Sequence, residues 1–345
     1  MRILLIANLE STFVWDDASI LAELGETTFW NTHEQGGLLN AGGPKLMELI
    51  AASDVVYGWF ASIHLLGPAL MCRLSGTPLV VVSGGYDSAS VPEIRYGNAG
   101  HTFKKYVSKT ILSIASAIIV NSQFSVRDLL QFMPEAEQKL HCINHRIHPR
   151  RPSEAGISVR RNPKLLLSVA RLNPMNYRRK KIELIKEIAR IMPDYQVVHI
   201  GLVDDAMVQE LHHNMPENMS AMGYIPDEEL WQWYHRAHGL LIPSWHEGFG
   251  LTAAEAPAAG CISFISGAGA QQEVTMGCAV EVSEDRPEAW KKAVERTQDF
   301  PEKKRREMQQ KMIYAYTGSF RKAGIRQILD TVTQSSAPGT YQPET

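Results

Sequence analysis

The sequence predicts an α/β protein built on two doubly wound parallel sheets, and three observations carry that prediction. Short β-rich runs alternate with helical patterns from Arg2 to about Pro152, and a second series of the same kind starts at Lys164. Between them, His145 to Asn162 holds Arg146, Arg150, Arg151, Arg160 and Arg161 among Pro149, Pro152 and Gly156, the composition of a solvated linker. Alternation of this sort is the pattern of a parallel sheet covered by helices on both faces. The 345 residues are enough for two domains that each bury a core, and 44% apolar with 21% charged residues is ordinary for a globular chain. A net charge of -2 argues against a dedicated nucleic-acid binder. Cys72, Cys142, Cys261 and Cys278 show no C-x-x-C spacing and read as buried thiols in a reducing compartment, with no zinc site. The run Met1 to Ala7 is too short for a signal-peptide core, and Val55 to Cys72 is broken by Gly58, His64, Gly67 and Pro68. A cytoplasmic chain is therefore expected.

In the first series the expected strands are Ile3 to Ile6, Thr27 to Trp30, Val55 to Tyr57, Leu79 to Val82, Ala117 to Val120 and Leu140 to Ile143. Ligands of such sheets bind at the carboxyl ends of the strands. The loop after Val82, which runs Ser83-Gly84-Gly85-Tyr86-Asp87 and on to His101, allows close backbone approach at its two glycines. Asp87, Glu93, Tyr96 and His101 supply polar groups for a hydroxylated ligand. A plain Gly-Gly turn with surface polar residues fits the same letters equally well. Ser125 and Asp128 stand in capping-box spacing at the next helix.

The second series opens with the strand Lys164 to Ala170, followed by Arg171 and, after a loop, by Arg178-Arg179-Lys180-Lys181 ahead of the helical pattern Ile182 to Ile191. Cations at a helix N-terminus oppose the macrodipole, so a bound diphosphate held by Arg171 and Lys180 would repay their placement. Further strands are expected at Val197 to Ile200, near Ala221, and at Leu240 to Ile242, Ile262 to Ile265 and Ala279 to Val282. The Gly267-Ala268-Gly269 turn lacks the third glycine and the downstream acid of a dinucleotide fingerprint. Helices over Pro287 to Thr297, Glu302 to Tyr316 and Ser319 to Thr333 close the chain ahead of a polar tail.

The densest stretch is Pro243-Ser244-Trp245-His246-Glu247-Gly248-Phe249-Gly250-Leu251, running into the alanine-rich helix that holds Glu255. Glycines let the backbone turn close to a ligand, and a helix beginning near Phe249 would offer free N–H groups to an anion. Carboxylates do not bind phosphate, so Glu247 and Glu255 suit sugar hydroxyls. Either glutamate alone reads as a solvated residue near a helix end.

This Glu-x7-Glu stretch, with Pro-Ser before it and Glu-Ala-x-Ala-x-Gly after it, resembles the donor-site signature of glycosyltransferase family 4. Ser168-Val169-Ala170-Arg171-Leu172 followed by Lys180, the Gly223-Tyr224-Ile225 segment, and Glu273 after Gly269 extend the resemblance over about residues 164 to 330. It implies the GT-B fold, two Rossmann-like doubly wound domains facing a cleft. The domains expected are 1–158 on the acceptor side and 159–316 on the donor side, with a helix over 317–335 packing back on the first and a tail over 336–345. It implies a retaining hexosyltransferase that moves a sugar from a nucleotide diphosphate sugar, with no cofactor and no metal, to a glycan, lipid-linked or small-molecule acceptor. Arg171 and Lys180 would bind the diphosphate and Glu247 the donor sugar. Gly248, Phe249, Gly250 and Leu251 would present backbone amides, Tyr224 and Ile225 would line the base, and Glu255 would hold the ribose. Acceptor-side candidates are Gly84, Gly85, Tyr86, Asp87 and His101, and the histidine that many members place after the fourth strand falls on about Gly84. The residues leave open a non-catalytic nucleotide-sugar-binding subunit, an inverting transferase and an epimerase of the same fold. Lys104, Lys105, Lys109 and the arginine-rich linker motivate peripheral contact with the inner membrane face.

Overall fold

A computed structural model describes residues 1–7, 11–31, 43–150 and 160–335. The expected domain boundary at 158–159, most of the linker, the loop starting at Asn8 and the tail over 336–345 lie outside the described residues. The chain divides into two compact units, Met1–Asn144 joined by the segment from Ser319, and His145–Gly318.

The first unit holds β1 (Arg2–Ala7), β2 (Glu26–Asn31), β3 (Val55–Trp59), β4 (Leu79–Ser83), β5 (Ala117–Val120) and β6 (Leu140–Cys142) in the order β2-β1-β3-β4-β5-β6. Every pairing is parallel. Strands buried on both faces need continuous apolar runs, which is what β3, β4 and β5 supply. The period of two then divides them. Leu4, Ile6, Val56, Val81 and Ile118 pack on one layer with Leu46, Ile50, Leu65 and Ile111. Ile3, Leu5, Tyr57, Val80 and Ile119 pack on the other with Val14, Ile20 and Leu21 and with Ile325, Leu329 and Val332 of the helix Phe320–Ser335.

That last helix is fixed by a buried ion pair. Arg321 donates through Nε to Asp17 Oδ1 at 2.6 Å and through Nη2 to Asp17 Oδ2 at 2.8 Å, while Nη1 reaches Asn121 Oδ1 and the carbonyls of Ile143 and Asn144. The Tyr57 hydroxyl donates to Asp17 Oδ2 at 2.8 Å.

The second unit repeats the architecture with β7 (Asn162–Val169), β8 (Gln196–Ile200), β9 (Met219–Ala221), β10 (Ala237–Ile242), β11 (Ile262–Ile265) and β12 (Ala279–Glu281), ordered β12-β11-β10-β7-β8-β9 and all parallel. The expected strand centres stand. Three local expectations change. The alanine-rich helix starts at Leu251 rather than near Phe249, because Gly250 at φ 86° is the left-handed residue ahead of it. Ser122, not Ser125, caps the helix Gln123–Phe132 by accepting from Ser125 N at 3.0 Å. Finally, Arg178 and Arg179 do not open the helix Ile182–Arg190, whose N-cap is Lys181. They end a short one, Pro174–Arg179, where the macrodipole favours cations.

Among the described residues no helix is long and apolar enough to cross a membrane.

Candidate functional site

In the second sheet β7 and β10 are neighbours whose onward connections lead to opposite sides, so the crevice at their carboxyl ends is the topological switch point. The segment after β7 carries Arg171 to Lys181 and the loop after β10 carries Pro243 to Gly250.

The first of these is built by asparagines. Asn173 Oδ1 accepts from Asn176 N at 2.8 Å and caps Pro174–Arg179, whose first residue, proline, needs no donor there. One turn on, Asn176 Oδ1 accepts from Arg179 Nε at 3.2 Å and Nη2 at 3.1 Å, which leaves Nη1 aimed at the second loop. Arg179 Nη1 donates to the His246 carbonyl at 2.9 Å and to Glu247 Oε2 at 3.1 Å. Lys180 Nζ donates to Glu247 Oε1 at 2.6 Å. Trp245 N closes the arrangement on the Arg179 carbonyl at 2.8 Å.

Glu247 is buried. Burial alone would raise its carboxyl, but Lys180 and then Arg179 outweigh it and hold the group at about 2, so it is ionised at neutral pH. Burial pushes Lys180 down and Glu247 pushes it back. Two cations share one carboxylate, so positive charge is in excess. The placement cost that a diphosphate was expected to repay is thus met from within: Glu247 pairs Lys180 and Arg179, and Asp285 pairs Lys181, whose Nζ also lies 3.9 Å over the Trp245 ring. Arg171 is held elsewhere, with Nη2 on Asp204 Oδ1 at 3.0 Å and its side chain about half exposed.

A third loop, after β11, braces Glu247 from behind. Ala270 N donates to the Glu247 carbonyl at 2.8 Å, and a Cβ on Gly269, at φ 69°, would stand 2.2 Å from that oxygen. Only glycine fits. Gln271 accepts from Ala268 N and Ser266 Oγ, both at 3.1 Å, and donates to the Ile242 carbonyl, tying the turn to the end of β10. Glu273 follows in the first turn of the helix Gln271–Thr275.

Phe249 is not a ligand-facing ring. It is buried, edge-on to His145 at 5.1 Å and to Tyr316 at 5.6 Å between centroids. Its neighbours Gly248, Gly250 and Leu251 are partly exposed. Glu255, half-buried, accepts from the Tyr234 hydroxyl at 3.2 Å, and burial pushes its carboxyl up to about 7. Tyr224 is 73% exposed and Ile225 partly so, beyond β9.

The acceptor-side candidates of the first unit are mostly engaged by other residues of that unit. Asp87 is fully buried, accepting from Ser83 Oγ at 3.0 Å and Gly84 N at 2.9 Å, and burial pushes it up to about 6. It therefore holds the loop rather than lining a wall. The Tyr86 hydroxyl is 3.3 Å from Lys104 Nζ and its ring is edge-on to Tyr96, Gly85 takes φ 95°, and half-exposed His101 lies 3.4 Å from the Arg95 carbonyl. At Gly84 a Cβ would stand 2.3 Å from Cε1 of Phe60, so the Phe60 ring fills the room a side chain there would need. Phe60 itself sits at the tip of β3 with φ 64°, a conformation that costs a non-glycine residue about 1–3 kcal/mol.

Sequence reasoning missed Arg179 as a partner of Glu247, along with Asn176, Asp204, Tyr234 and Phe60. The Asn173-Pro174-x-Asn176 start of a capped helix was the readable signal for Asn176, whereas nothing near Arg179 points to Glu247.

The model of the family described as glycosyl transferases group 1 matches residues 151–315. Among curated proteins no sequence matches the chain. Solved structures share its fold, three of them as follows. Anabaena Alr3699/HepE, in complex with UDP and glucose, superposes with a TM-score of 0.73 at 16% identity, covering 97% of this chain and 100% of that one. Sucrose-phosphate synthase from Thermosynechococcus elongatus gives 0.72 at 16%, covering 97% and 98%. The UDP-forming α,α-trehalose-phosphate synthase from Burkholderia xenovorans, in complex with glucose-6-phosphate, gives 0.68 at 12%, covering 98% and 100%. The fold is that of two-domain α/β glycosyltransferases.

Proposed function

We propose that the chain is a glycosyltransferase that moves a hexosyl group from a nucleotide diphosphate sugar to an acceptor hydroxyl with retention of configuration. The observation that carries this reading is Glu247, buried and ionised at the switch point and gripped by Lys180 and Arg179 from the neighbouring strand end. Excess positive charge there favours a departing diphosphate, the largest electrostatic demand of such a transfer. The helix Leu251–Ala258 adds its free N–H groups. Glu247 keeps one face of the sugar hydrogen-bonded while Arg171 leaves Asp204 to reach phosphate. Glu255 accepts from the ribose hydroxyls, and Tyr224 and Ile225 flank the base. The acceptor hydroxyl attacks on the face the diphosphate leaves, and the leaving phosphate takes its proton. No protein nucleophile is assigned. The family match over residues 151–315 supports the donor class, and the UDP of the Anabaena structure and the UDP-forming neighbour favour a uridine nucleotide. The acceptor is a glycan, a small molecule or a lipid-linked sugar.

Thermal unfolding with UDP, GDP, ADP, dTDP and CDP tests it. A ligand at about 100 times its Kd adds roughly 2.7 kcal/mol. One nucleotide is expected to raise the midpoint of the natural chain, with the shift lost in Glu255→Gln and reduced in Arg171→Ala. No shift with any of the five would remove the reading. Slow release of sugar from the matching donor alone is expected of a transferase, and its complete absence would favour the non-catalytic binding subunit.

A further inference from the structure

Two neighbouring helices of the first unit, Ile63–Ser75 and Thr102–Ile114, turn large apolar side chains into solvent. Ile63, Leu70 and Leu74 follow one another at seven- and four-residue steps along a single face, and Leu74 is 79% exposed. Phe103 and Tyr106, one turn apart on the other helix, are 71% and 66% exposed. Between the helix starts lies a cavity of about 180 Å³ lined by Ser62, Ile63, Tyr86, Phe103, Lys104 and Val107. Large apolar side chains exposed together on neighbouring helices are the kind of surface an interaction site presents.

The charges on the same two helices choose the partner. Neither contains an aspartate or a glutamate, whereas Arg73, Lys104, Lys105 and Lys109 lie on them, in a chain whose net charge is -2. Tyr86 holds Lys104 near the cavity, and Lys109 lies 5.1 Å over the Phe132 ring. Cations without acids, interleaved with aromatic and aliphatic side chains on short helices, suit a surface that is anionic outside and apolar a few ångströms in.

We infer that the helices Ile63–Ser75 and Thr102–Ile114 form a docking face for an anionic lipid bilayer, on which the protein rests. Phe103, Tyr106 and the Ile63–Leu70–Leu74 stripe enter at headgroup depth while Lys104, Lys105 and Arg73 meet the lipid phosphates. This goes beyond the transferase reading and does not depend on it, though it favours a lipid-linked acceptor.

Co-sedimentation of the full chain with vesicles tests the inference. Vesicles of equal parts phosphatidylcholine and phosphatidylglycerol are expected to bind it at least about tenfold better than pure phosphatidylcholine, with binding falling as salt screens the lysines. The double variants Lys104→Glu/Lys105→Glu and Phe103→Ser/Tyr106→Ser should each lose that binding yet keep the thermal midpoint and the nucleotide-induced shift. Lys303→Glu/Lys304→Glu on the second unit should bind as the natural chain does. No preference for anionic vesicles, or equal losses in the second-unit control, would overturn the inference. So would sedimentation equilibrium showing a dimer that Phe103→Ser/Tyr106→Ser dissociates, since a second copy would then cover the face.

Discussion

Two buried carboxylate–cation clusters, one in each unit, use the same chemistry for different ends. In the first unit Asp17 and Arg321 are closed on all sides: both carboxylate oxygens and Nε, Nη1 and Nη2 of the guanidinium are bonded inside the core. In the second, Glu247 lies in a loop at a strand end, and Lys180 and Arg179 reach it from the end of the helix Pro174–Arg179 with part of their surface still open. A pair with every donor committed, deep between helix and sheet, is structural. A pair made at a switch point between a loop and the end of a short helix, with charge in excess, is in the proposed reading the one that exchanges partners for a ligand.

The largest expected effect lies in the closed pair. Asp17→Ala strands a buried guanidinium and should cost about 3–5 kcal/mol. Hydrogen exchange should show the loss in β1, β3 and the last helix, with β7 to β12 unaffected; protection lost equally in both units would erase the distinction.

Glu247→Gln should act the other way round. It should lower transfer on the order of 10²-fold or more while unfolding less of the chain than Asp17→Ala does, as read from kcat with the donor that the nucleotide screen identifies. Near-natural kcat would place Glu247 beside Asp17 as a structural acid.

A third test concerns Glu255, whose carboxyl is raised in the folded state from 4.5 to about 7. The folded chain then holds a proton that the unfolded chain has given up, so this group's contribution to stability declines as pH rises from about 4.5 through 7. Nucleotide affinity should rise over the upper part of that range if ionised Glu255 accepts from ribose. Glu255→Gln should flatten both trends, and a pH profile unchanged by the substitution would count against the assignment.

The smallest effect belongs to Lys181→Ala. Its partner Asp285 is half exposed, so the loss should stay within about 1 kcal/mol in chemical denaturation. A larger loss would mean that the Trp245 contact, too, belongs to the charged cluster.

Much of this was legible in the letters because parallel strands buried on both faces are apolar along their length: runs such as Leu79 to Val82 and Ala117 to Val120 leave no alternative period. Glu247, Gly250 and Lys180 stood out because glycines and charges are expensive where they sit. What stayed hidden depends on contacts between distant segments. Nothing around Arg179 announces Glu247, 68 residues on. Asp87 reads as a surface acid until Ser83 and Gly84 fold over it, and Gly84 reads as turn punctuation until the Phe60 ring is seen to occupy its side-chain space. The cations ahead of Ile182 looked misplaced because a six-residue helix, capped by Asn173, is too short to show a period.

The Asp17–Arg321 pair also sets a timetable for synthesis. Its partners are 304 residues apart, so at about 5–20 residues per second the ribosome supplies the second of them roughly 15 to 60 s after the first. Over that interval all of the second unit emerges, its segment being continuous, while the first unit waits with a carboxylate unpaired in its core and the apolar seat of the last helix uncovered. The domain begun first is finished last.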